Sequence, residues 1–131
     1  MIEIESKIYS PVATALKNEF SSIYVTSEPA LIPTEPLTVS IVQQDSYSSP
    51  RKQDNSLKEK YAIVMFQVDV YSNKQSGKRT ECKKVMAFID SMFFDLNFMR
   101  ISLTPIPMGD GYYRLTARYR AETDGTTMYR V

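Results

Sequence analysis

The stretch EKYAIVMFQVDVYS, residues 59–72, carries the strongest strand pattern in the chain and decides the fold. Alternate residues form one uninterrupted apolar face: Ala62, Val64, Phe66, Val68 and Val70. The opposite face is mixed rather than fully polar, and it carries Tyr61, Ile63, Met65, Gln67, Asp69 and Tyr71. Such a pattern predicts a strand with both faces partly covered. We expect helices to cover the apolar face and another subunit to cover the mixed one.

Two amphipathic helices are predicted on either side of this strand. Apolar residues recur at spacings of three and four within residues 2–20 and again from about Lys78 to Asp95. Pro11 leaves two alternatives for the first helix, because it fits either a kinked helix from about Glu3 or a shorter helix that begins at the proline. In the second helix, extra apolar residues indicate either deep packing or contact with a neighbour: Phe88, Met92 and Phe94.

Further strands are predicted at residues 23–25, at 37–44, and in the two extended segments that flank the turn sequence GDG at 109–111. Prolines 105 and 107 confine the first of those two segments to a sheet edge or an irregular end.

The order of elements, with helices and strands not strictly alternating, predicts an α+β fold. We expect a single domain over residues 1–131, built as an antiparallel sheet of about four strands with two helices packed on one face. Two exposed loops are predicted, at about 26–36, which holds three prolines, and at about 45–58, which has almost nothing to bury. The second loop is either a partner contact or a solvated excursion.

Composition excludes several classes of function. Sixteen basic and fifteen acidic residues leave a formal charge of +1, so no global field draws the protein to a polyphosphate. The chain has no histidine, and its single cysteine, Cys82, lies in an apolar helical stripe typical of a core position. The scattered carboxylates show no spacing of a catalytic or metal site, so we expect no enzyme activity, no metal and no cofactor. No run of eighteen apolar residues and no secretory signal is found, which predicts a cytoplasmic protein without membrane contact.

The final strand, YYRLTARYRAE at residues 112–122, places Arg114, Arg118 and Arg120 on one face. Arginines interleaved with tyrosines are typical of a platform for single-stranded nucleic acid. The competing interpretation pairs the arginines with carboxylates such as Asp69 and Glu122, or with acids of an adjacent subunit. The near-zero net charge favours this second interpretation, a protein surface.

Three stretches of the chain resemble a known family. They are the helix ALKNEF (15–20) with the following proline-rich loop and LTVSIVQQDSY (37–47), the segment VMFQVDVYSNKQSGKRTECKKVMAFID (64–90), and the ending GYYRLTARYRAETDGTTMYR (111–130). In element order, length and these phrases the chain resembles the tail terminator, or tail-completion, proteins of long-tailed bacteriophages. These small α+β proteins are also described as minor capsid or head–tail joining proteins.

The resemblance implies a virion protein that forms a ring, expected to be a hexamer, at the head-proximal end of the tail tube. Such a ring stops tube polymerisation and joins the tail to the head after assembly in the cytoplasm of the host bacterium. The implied partners are other copies of the chain, the major tail tube protein and a head-completion or connector protein, while DNA passes through the lumen without specific binding. The alternative function is a small module that binds single-stranded nucleic acid.

The resemblance also implies roles for two sets of residues. The long loop would contact the tail tube or a neighbouring ring through Tyr47, Arg51, Lys52 and Asp54. Subunit contacts or the lumen would be formed by Arg114, Arg118, Arg120, Ile63, Met65 and Asp69.

Overall fold

The computed structural model describes residues 5–20, 22–28, 35–48, 62–108, 111–124 and 128–129, with the backbone alone for 45–48. In chain order the elements are α1 (Glu5–Glu19), β1 (Tyr24–Thr26), β2 (Leu37–Ser48), β3 (Ala62–Ser72), α2 (Lys78–Asp95), β4 (Met99–Ile106), β5 (Tyr113–Thr123) and β6 (Met128–Tyr129). The α+β class with two helices is confirmed.

The sheet is larger than expected, and it is mixed. Its strands are ordered β1-β2-β3-β5-β4, and β6 pairs with the far end of β5. All described pairings are antiparallel except that of β1, which runs parallel to β2. The expected sheet of about four antiparallel strands is therefore the coarser description. The short strand predicted at 23–25 is present as β1, but it runs parallel to β2. β6 has only two residues and is too short to show an alternating pattern.

The long strand of the opening stretch, β3, is central to the sheet. It pairs with β2 on one side and β5 on the other, so that Val70 lies opposite both Val39 and Leu115. Its apolar face is fully buried, which confirms that part of the prediction. On the opposite face Ile63 and Met65 are half-buried.

Both helices contribute to one core on the apolar face of the sheet. The centre of this core is aromatic. Phe93 of α2 stacks on Tyr119 of β5 with ring centroids 4.3 Å apart, and Phe98 meets Phe93 edge-on at 5.2 Å and Phe66 at 5.7 Å. Cys82 is also fully buried here, as its place in the helical stripe predicts.

The helix boundaries resolve the alternatives left by the sequence. α1 begins well before Pro11, which lies exposed inside the helix, so the longer helix is correct. α2 runs from Lys78 to Asp95 as expected, and Gly77 caps its start in the left-handed conformation with φ of 86°. Neither described helix is long and apolar enough to span a membrane.

The loop predicted at about 45–58 starts later than expected. β2 continues through Ser48 after a bulge between Gln43 and Asp45. The strand extends this far because it still pairs with β3, although apolar and polar residues no longer alternate in the sequence. Tyr47 consequently lies in a strand, opposite Ile63. The other predicted contact residues of that loop, Arg51, Lys52 and Asp54, lie outside the described residues, as does most of the proline-rich loop.

Candidate functional site: the arginine face of the sheet

The sheet face opposite the helices holds the predicted arginine row, and we call the β3 and β5 side chains on it the arginine face: Ile63, Met65, Gln67, Asp69, Arg114, Thr116, Arg118, Arg120 and Glu122. The antiparallel register places Thr116 opposite Asp69 and Arg118 opposite Gln67. Because side chains alternate along each strand, residues two apart share this face. The structure therefore brings together all the residues predicted for a subunit interface.

Asp69 is the centre of a hydrogen-bond network on this face. Its Oδ1 accepts hydrogen bonds from Arg114 Nε at 3.0 Å and from the Thr116 hydroxyl, and its Oδ2 accepts one from the Gln67 amide at 3.0 Å. The Asp69 side chain is only 8% exposed. Three donors hold this buried carboxylate in a fixed position. Asp69 therefore positions the side chains of Arg114, Thr116 and Gln67.

This network also orients two arginines. Since the amide nitrogen of Gln67 donates to Asp69, its amide oxygen is turned towards Arg118 and accepts from Arg118 Nε at 3.3 Å. Arg114 and Arg118 are thus both held through Nε, and within the described residues their terminal Nη groups make no hydrogen bond. Arg114 lies in addition over the ring of Tyr71, with 5.3 Å to its centroid. Two guanidinium forks are left available for a carboxylate or phosphate.

Arg120 continues the row in a different environment. It lies between Met65 of β3 and Met99 of β4, and it is half-buried. Its Nε is buried and has no hydrogen-bond acceptor in the described part of the chain. A buried donor without an acceptor costs about 1–3 kcal/mol. With Ile63 and Met65 beside it, this end of the face combines apolar surface with an unsatisfied donor.

The tyrosines of β5 do not lie on the arginine face. Tyr119 points into the core, where burial and its hydrogen bond to Asp90 raise the pKa of its hydroxyl. Tyr113 shares the helix side of the strand, and Tyr71, which does lie beneath Arg114, is 1% exposed with its pKa raised by burial. Tyr71 and Tyr119 therefore offer no exposed ring on which a base could stack.

The sequence placed the segment before GDG at a sheet edge or irregular end, and β4 does lie at the edge, but its nearly complete exposure was missed. The residues of β4 from Met99 to Pro105 are all exposed, and so is the neighbouring Phe94 at the end of α2. In the sequence, this exposed surface was indicated only by the extra apolar residues of α2. Phe88 and Met92 pack on the core, whereas Phe94 is 58% exposed.

The described residues contain no group of three or more side chains arranged to hold a metal ion. No protein-family model and no curated protein sequence matches the chain. Function is therefore inferred from the surfaces described above.

Proposed function

We propose that this chain is a structural virion protein that assembles into a ring at the head-proximal end of a bacteriophage tail tube. There it ends tube polymerisation and joins the tail to the head. The observation that supports this most directly is the arginine face, on which two guanidinium groups are held in place beside half-buried Ile63 and Met65. Apolar area mixed with oriented arginines is typical of protein interfaces.

A closed ring explains why such a face is left open by both helices. In a cyclic assembly each copy uses two different surfaces, so the arginine face of one copy meets another part of the next copy. Separate carboxylates there would pair with the Nη groups of Arg114 and of Arg118. The six-fold copy number and the contacts with the tail tube and connector proteins come from the family resemblance.

The low net charge supports the same assignment. A lumen through which DNA passes must not hold it, and a formal charge of +1 provides no strong general attraction to phosphates. Placement in the virion, after assembly in the bacterial cytoplasm, follows from this proposed role.

The alternative is a module that binds single-stranded nucleic acid through the same arginines. The exposed Arg118 and the available guanidinium forks favour it, because they match phosphate as well as carboxylate. The burial of Tyr119 and Tyr71 disfavours it, since such modules rely on exposed rings for stacking.

The test is tail capping by the purified protein, imaged by electron microscopy. We expect the wild type to cap tail tubes and Arg118→Glu to lose capping while its thermal unfolding midpoint stays close to that of the wild type. Arg79→Glu is the matched control, because Arg79 is an exposed arginine on α2, away from the arginine face. If the wild-type protein neither caps tubes nor occurs at the head–tail junction of virions, the proposal is wrong.

Fluorescence anisotropy with an oligonucleotide at two salt concentrations tests the alternative. Tight binding that falls steeply with salt and is lost in Arg118→Glu would establish the nucleic-acid module instead. Absence of binding at low salt would rule out the nucleic-acid-binding alternative.

A further inference from the structure

β4 forms an open edge of the sheet. It is eight residues long, it ends the strand order, and among the described strands it pairs only with β5. An edge strand presents a row of unpaired backbone groups that can pair with another chain. Proteins commonly protect such edges with charged side chains, proline or a covering element.

At this edge such protection is limited to Pro105, Arg100 and the bulge between Arg100 and Ser102, and the other large side chains are apolar. Exposed fractions are 43% for Met99, 45% for Ile101, 41% for Leu103 and 58% for the adjacent Phe94. Together they expose on the order of 300 Å² of apolar surface, the size of the largest patch on a typical monomer. The single charged residue of β4, Arg100, is already paired with Asp90 at 3.4 Å.

A groove lies on the helix side of this edge, between α2 and β4. It consists of two cavities, which share Asp90 and Arg100 in their walls. The first, about 240 Å³, is lined by Phe94, Phe98, Met99 and Tyr119. The second, about 280 Å³, is lined by Lys83, Met86, Ala87, Leu103 and Leu115. A strand added to β4 would direct every second side chain towards these cavities.

The backbone direction follows from Pro105. A proline inside an edge strand turns its nitrogen towards the open side, because it has no N–H to give to the ladder. The register with β5 is regular from Ser102 to Ile106, so Leu103, two residues earlier, also turns its N–H and C=O outward. Within the described residues, the Leu103 N–H and C=O thus have no partner at the open edge, while Pro105 limits pairing towards the end of the strand.

We propose that β4 pairs with β4 of a second copy of this chain in an antiparallel, two-fold arrangement, with apolar side chains of each strand entering the groove of the other copy. Antiparallel pairing of a strand with itself is self-complementary, which satisfies the requirement of a two-fold interface. The two copies of Arg100 do not repel each other strongly, because each is neutralised by its own Asp90.

The area suggests a weak, reversible contact. Two patches on the order of 300 Å² with the adjoining strand backbone reach only the lower range of specific interfaces. The β4 contact is centred on the strand edge and on Leu103, which lies on the helix side of the sheet opposite the arginine face. The two surfaces adjoin at Met99, next to Arg120, but this self-association does not depend on the ring proposed above.

The experiment is sedimentation velocity over a dilution series, with four variants. Leu103→Pro removes the outward N–H, and Leu103→Lys places a charge at the edge and in the groove. Tyr24→Lys is the matched control, since Tyr24 is 50% exposed on β1 at the other edge of the same sheet. Arg118→Glu separates this contact from any contact made by the arginine face.

We expect the wild type to self-associate and both Leu103 variants to raise the dissociation constant at least ~10-fold, while Tyr24→Lys and Arg118→Glu change the β4 contact little. Hydrogen exchange of the Leu103 amide should slow as wild-type protein concentration rises. Circular dichroism checks that each variant is folded. If Leu103→Pro does not fold, the dissociation constant of Leu103→Lys alone decides the test. A wild type that stays monomeric to ~1 mM, or an association that Tyr24→Lys weakens as much as Leu103→Lys does, overturns the proposal.

Discussion

Removing the carboxylate of Asp69 should destabilise the folded subunit far more than removing the exposed guanidinium of Arg118. Asp69 accepts hydrogen bonds from Arg114, Thr116 and Gln67, whereas Arg118 contributes one hydrogen bond, to Gln67. The two residues belong to the same network on the same sheet face. They therefore test whether Asp69 serves folding while Arg118 serves partner contact.

The magnitude follows from burial. In Asp69→Ala the Thr116 hydroxyl, in a residue only 7% exposed, loses its acceptor, and Arg114 loses its counter-charge. Breaking a buried ion pair costs about 3–5 kcal/mol. The Arg114 side chain is 22% exposed and keeps some access to water, so we expect about 2–4 kcal/mol. Arg118→Gln, at an exposed position, should stay within about 0.5 kcal/mol of the wild type.

Urea unfolding of the purified variants measures both values. For a domain of this size the Asp69→Ala loss corresponds to a fall of roughly 10 °C in Tm. A double-mutant cycle should show coupling of about 1–2 kcal/mol between Asp69 and Arg114 and less between Asp69 and Arg118, which are linked only through Gln67. Equal destabilisation by Asp69→Ala and Arg118→Gln would refute the idea that the network is organised around Asp69.

Three further outcomes are expected. Burial, with a smaller effect of Glu81, raises the pKa of the Cys82 thiol to about 12 from its ordinary 9.0; the unfolded chain therefore releases this proton first, and the free energy of unfolding should fall as pH rises from about 9 towards 12. Urea denaturation at pH 8 and pH 10.5 checks this, and Cys82→Ala should lose less stability over the same range. Phe93→Ala should cost about 3–5 kcal/mol because it empties the centre of the aromatic core, against about 1.5 kcal/mol for Phe93→Leu; thermal melts that rank them equally would contradict the packing described. Gly77→Ala should cost about 1–2 kcal/mol by chemical denaturation, because alanine is strained at a φ of 86°.

The periodic parts of the fold were predictable from sequence. The alternation in 59–72 identified β3 and its buried face, and the spacing of apolar residues gave the limits of α2. The shared face of Arg114, Arg118 and Arg120 followed from the same period of two. These features depend on local patterns, which the sequence shows directly.

Features that depend on the pairing of strands were harder to predict from the sequence. The alternation of side chains along β3 placed Asp69 on the arginine face. Its three hydrogen bonds could not be predicted, because the partners depend on the register between β3 and β5. The bulge that prolongs β2 to Ser48 leaves no pattern in the sequence. The exposure of β4 was equally hidden, because MRISLTPI has the composition of a buried strand, and only Pro105 points to an edge.

The central position of β3 has a consequence for how the chain folds. Thr116 and Asp69, which meet across the β3–β5 ladder, are 47 residues apart in sequence, and α2 and β4 lie between them. Ladders of such long sequence separation close slowly, because loop entropy is lost before contacts compensate for it. During synthesis, at roughly 5–20 residues per second, seconds pass between the emergence of β2 and β3 from the ribosome and that of β5. For that interval the apolar face of β3 is only partly covered, and it is the segment from which we expect chaperone binding and misfolding to start.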